Sequence, residues 1–69
     1  MSWTWRFETA AGEPADPGEL SGAEFSAQGD AETWLGEIWR ELLSAGVEQV
    51  TLMDSGREVY GPMSLAAQE

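Results

Sequence analysis

The side chains that most often carry chemistry are missing from this chain. It has no His, no Cys and no Lys. Acid–base and nucleophilic catalysis need a group that titrates near neutral pH, or a nucleophile activated by one. Ser21, Ser26, Ser44, Ser55 and Ser64 have no such base, and none lies in a G-x-S-x-G elbow, so they read as caps and turn residues. Paired carboxylates could in principle cleave a glycosidic bond, but that chemistry needs a cleft, and a small domain has little room for one. Asp, Glu and backbone carbonyls are the only metal ligands on offer and suit calcium or magnesium. No D-x-[DN]-x-[DN]-G series occurs, and the acids from Glu13 to Glu24 are scattered among Pro and Gly. No phosphate-binding G-x-x-x-x-G-K-[ST] or G-x-G-x-x-G is present either. The expectation is a protein that is not an enzyme, with no catalytic residues, no cofactor and no metal.

Charge narrows the partners. Arg6, Arg40 and Arg57 face thirteen carboxylates, for a net charge of −10. Direct nucleic-acid binding requires cations that displace counterions, which three arginines among so many acids cannot supply. The reverse is chemically allowed: an acidic regulator or decoy that docks on a nucleic-acid-binding protein by charge. The aromatic residues point elsewhere. Trp3, Trp5, Phe7, Trp34 and Trp39 suit a core, yet Trp34 and Trp39 lie about 140° apart on a helical wheel. Both therefore cannot face the middle of one sheet. The one left on a flank, with Met53, Tyr60, Pro62 and Met63, would make an apolar patch with a polar rim, the usual anatomy of a protein contact.

Those residues must be positioned by one small domain, because 69 residues cannot support a second core. Trp3, Trp5 and Phe7 alternate with Thr4, Arg6 and Glu8, the period-2 pattern of a half-buried strand. Residues 9–22 carry Pro14, Pro17, Gly12 and Gly18 without apolar repetition and read as a long surface loop. A short strand near residues 23–25 could pair back onto the first. From Ala27 to about Ala45, apolar residues recur at spacings of three and four, with Leu35, Ile38 and Leu42 near the middle of the apolar half. Ser26 or Asp30 would cap this helix, and Gly46 would end it in a left-handed conformation. Residues 47–53 and 58–60 flank the turn Asp54-Ser55-Gly56-Arg57 as a hairpin, with Val50, Leu52 and Val59 toward the helix and Tyr60 away from it. Gly61-Pro62 would stop the last strand. The fold expected is α+β: a single two-layer domain over residues 1–65, a sheet of three to four strands with one long helix on one face, in the order β-[β]-α-β-β. Residues 66–69 would form a frayed tail.

The strings S-W-T-W-R-F at Ser2–Phe7, D-A-E-T-W-L-G-E-I-W at Asp30–Trp39, Q-V-T-L-M at Gln49–Met53 and E-V-Y-G-P-M-S-L at Glu58–Leu65 resemble uncharacterised short acidic proteins of actinomycete bacteria. The likeness spans most of the chain outside residues 9–22 and implies an actinobacterial source and a cytoplasmic location. It carries over no functional residue. With no membrane span and no signal-peptide pattern at the N-terminus, the sequence also points to the cytoplasm. The functional expectation is a small non-catalytic adaptor or accessory protein that binds another protein, or weakly a second copy of itself. The contact would run through the aromatic patch or an open sheet edge.

Overall fold

The computed structural model describes residues 2–65. In chain order it contains β1 (Trp3–Glu8), a 3-10 turn (Gly18–Leu20), α1 (Gln28–Ser44), β2 (Gln49–Asp54) and β3 (Arg57–Ser64). The strands form one antiparallel sheet in the order β1-β2-β3, so β2 lies in the middle. The order of elements is β-α-β-β, in a small α+β globule. The expected fourth strand is reduced to a single bridge between Phe25 and Trp3. The chain turns into α1 at Gln28 directly after this bridge, so no longer ladder forms.

The core follows from the two periodicities. Trp5 and Phe7 on β1 stand opposite Leu52 and Val50 on β2, and α1 covers them with Ala31, Leu35 and Leu42. Val47 and Leu65 close the end of this layer. Trp5 is only 5% exposed, and its indole Nε1–H donates to the Ala31 carbonyl at 3.1 Å, so burial strands no polar atom. Ile38 is half-buried rather than central, because the helix turns Ala31, Leu35 and Leu42 toward the sheet. Trp34 and Trp39 go to opposite flanks, both half-buried.

The helix ends obey different rules at its two termini. Neither Ser26 nor Asp30 caps it; Ala27 holds the N-cap position with no side-chain hydrogen bond, and Asp30 lies in the first turn, where its charge suits the positive pole. At the other end Gly46 adopts φ +98°, its N–H donates to Leu43, and the Val47 N–H donates to Leu42. This is a Schellman motif, with fully buried Val47 and Leu42 supplying its apolar contact.

The β2–β3 turn places Ser55 and Gly56 at φ 53° and 86°, the pairing of a two-residue type I′ hairpin. Beyond it the sequence expectation needs two corrections. Pro62 does not lie past the end of the strand: β3 runs through the cis Gly61–Pro62 peptide to Ser64. An edge strand with irregular register tolerates a residue that cannot donate to the ladder. The same irregularity shifts the register between Met53 and Leu52, so that Leu52 faces Tyr60 and not Val59. Tyr60 therefore lies on the helix side of the sheet, and Val59 is turned outward at 41% exposure.

A second register shift falls between Leu52 and Val50, where β3 passes through Gly61. Its φ is +131°, and an added Cβ would come within 2.8 Å of the Thr51 Cα. Thr51 is fully buried, and its Oγ1 has no hydrogen-bond partner among the described residues. The 9–22 loop is tied to the outer edge of β1 rather than free. The Ala15 N–H donates to the Phe7 carbonyl, and Trp3 and Phe25 exchange two backbone hydrogen bonds. The expected frayed tail, residues 66–69, falls outside the described residues. Among those described, no helix is long and apolar enough to cross a membrane.

Candidate functional site

One flank of α1 is built from Glu32, Gly36 and Trp39, which share a face at i, i+4 and i+7. Across from it stand Tyr60 and Met63 of β3, brought to this side of the sheet by the two register shifts. Trp5 and Leu35 form the floor. Together these seven residues line a groove of about 230 Å³. Gly36 is what leaves it open: an added Cβ there would meet no atom within 4 Å. A glycine in the middle of a helix costs about 1 kcal/mol relative to alanine, so the gap comes with a loss of helix propensity.

Polar atoms at the groove are specific. The Tyr60 hydroxyl donates to Glu32 Oε2 at 2.7 Å, and Gln28 Nε2 donates to the same oxygen at 3.1 Å. The Tyr60 ring meets Trp5 edge-on at 6.5 Å. Tyr60 is still 37% exposed, and its partial desolvation pushes the phenol up to about 12, with the hydrogen bond and negative charge of Glu32 adding to the shift. The hydroxyl thus ties β3 to α1 while it is protonated. The Arg40 guanidinium lies 5.1 Å from the Trp39 ring centroid, although Arg40 does not line the groove.

Of the six residues singled out in the sequence, Trp39, Tyr60 and Met63 come together here. Trp34 does not. It sits on the opposite flank against Phe25 and Phe7, with ring centroids at 5.3 and 6.4 Å. Met53 is paired with Thr4 on the far face of the sheet, half-buried, and Pro62 is exposed on β3. The far face also holds Arg6, whose guanidinium reaches Glu8 and Glu58, each at 3.3 Å. Sequence reasoning missed Glu32, Gly36, Trp5 and Leu35 as site residues. The spacing of Glu32, Gly36 and Trp39 was a usable signal; the side of the sheet taken by Tyr60 was not, because it depends on the bulged register.

Among the described residues, no three His, Cys, Asp or Glu side chains are grouped so as to hold a metal ion. No family model, curated protein or solved structure matches the chain.

Proposed function

We propose that the chain is a small binding module without catalytic activity, whose contact with another protein is made through the groove between α1 and β3. The observation that supports this most is the gathering of Trp39, Tyr60, Met63 and a Glu32 carboxylate around the gap at Gly36. Aromatic residues in a partly open pocket are the anchors by which small surfaces obtain most of their binding energy. The sheet edges compete poorly for that role. β1 is tied down by Ala15 and Phe25, and β3 is broken by its register shifts, a recognised way of blunting strand addition.

Immobilised wild-type protein and the Gly36→Gln variant, challenged with actinomycete lysate at about 0.05 M and 0.5 M salt, test this reading. The substitution fills the groove from a position with free space and improves the helix. A protein retained by the wild type at both salt concentrations and lost with Gly36→Gln is the expected outcome. Identical capture by both forms would remove the groove as the contact. Partners held equally by both forms and released by salt would favour the alternative, an acidic regulator that docks on a nucleic-acid-binding protein by charge alone.

A further inference from the structure

Resting on that reading of the groove, we propose that its occupant is the guanidinium of an arginine on the partner protein, placed against the Trp39 and Tyr60 rings with its charge on Glu32. The carboxylate is available. Its Oε2 already accepts from Tyr60 and Gln28, whereas no donor among the described residues reaches Oε1. None of the three arginines forms an ion pair with it among the described residues: Arg6 is engaged by Glu8 and Glu58 on the far face, Arg57 stands opposite Asp54 at the hairpin turn, and Arg40 lies over Trp39 and does not line the groove.

The walls fit a cation of this shape. Aromatic faces attract cations through their quadrupole, most strongly for indole, and the Trp39 ring already takes the guanidinium of Arg40 at 5.1 Å from its centroid. Gly36 leaves space along the helix between Glu32 and Trp39, where a flat group could lie with its stem toward solvent. A guanidinium is planar, weakly hydrated and able to fork onto a carboxylate while stacked on a ring; an ammonium holds its water more tightly and offers no flat face. The net charge of −10 draws a cationic partner toward the molecule but does not select the groove, since exposed acids lie all round. Selection comes from the rings and the gap. The opposite flank offers no equivalent, because Trp34 is packed against Phe25 and Phe7.

The test is a titration of the full chain with N-acetyl-arginine-N-methylamide and its lysine and citrulline counterparts, followed by the indole N–H and tyrosine ring signals in NMR spectra. Citrulline keeps the shape and hydrogen-bonding edge of arginine and drops the charge. The expected result is saturable binding of the arginine probe in the millimolar range, with shifts centred on Trp39, Gly36 and Tyr60. Binding should be about tenfold weaker for citrulline and intermediate for lysine. Glu32→Gln keeps an acceptor for the Tyr60 hydroxyl and should weaken the arginine probe about tenfold; Gly36→Gln should remove its shifts. Equal binding of citrulline, indifference to Glu32→Gln, or shifts spread over the acidic surface would overturn the proposal. If the arginine probe fails while Gly36→Gln still abolishes protein capture, the occupant is wrong and the contact site stands. If arginine binds the groove and capture ignores Gly36→Gln, the contact-site reading falls and the guanidinium site stands.

Discussion

Tyr60 is an unusually clean reporter, because the chain has one Tyr and neither Lys nor Cys. Between about pH 9 and 12 no other side chain is due to titrate. The phenol is held at about 12 by burial first, and then by the hydrogen bond and charge of Glu32; in the unfolded chain it should return to about 10. A group whose pKa is raised by folding stabilises the native state fully below the unfolded value, and that stability is lost as pH rises through the folded one. Stability should therefore be flat up to about pH 10 and fall between about 10 and 12, where the unfolded chain gives up the phenol proton and the native one still holds it. Denaturation midpoints measured across this range should decline for the wild type and stay level for Tyr60→Phe. A parallel decline in both proteins would mean that the hydroxyl does not carry the effect. Phenolate absorbance gives the complementary check. Glu32→Gln should lower the native midpoint only part of the way, since burial is the larger cause.

Two glycines of α1 and its cap make opposite demands on the same element. Gly46 needs a positive φ to close the Schellman motif, so Gly46→Val should destabilise by about 1 kcal/mol or more. Gly36 needs nothing from its backbone and has open space beside it. Gly36→Ala should therefore stabilise by about 0.5–1 kcal/mol, with the groove narrowed. Chemical denaturation of the two variants settles both signs, and a destabilised Gly36→Ala would mean that the helix wall is strained in a way its open surroundings do not suggest. This element was largely legible beforehand: the apolar spacing from Ala31 to Leu42 and the terminal Gly46 are local signals that the structure repeats. Its start was not, because the chain leaves Ala27 at the N-cap and lets packing hold the first turn without Ser26. The hairpin was legible at its turn, where Ser55-Gly56 fits two positive φ values, and illegible beyond Met53. Gly61-Pro62 looked like a stop because proline cannot join a ladder; on a bulged edge it does not have to. A separate irregularity, the register shift between Met53 and Leu52, breaks the simple alternation that turned Tyr60 away from the helix in the sequence reading and hid the groove it helps to build.

At the scale of the whole molecule, charge and edges act together. A net charge of −10 on so small a body opposes association of like copies, and neither sheet edge presents a long regular strand to a neighbour. The sheet order has a further consequence, for how the chain reaches this structure. β2 is central, but its neighbours are at very unequal distances along the chain: β3 follows after Ser55-Gly56, whereas β1 is separated from β2 by the whole of residues 9–48. The hairpin and α1 can form from local contacts, while docking β1 must close the longer loop and meet its entropy cost late. A change in the hairpin turn such as Gly56→Ala, where φ is +86°, should then mainly slow folding. Phe7→Ala on β1 should mainly speed unfolding. Stopped-flow rates for the two variants decide it: if Phe7→Ala slows folding in proportion to the stability it loses, β1 belongs to the nucleus and the chain does not assemble from its C-terminal half outward.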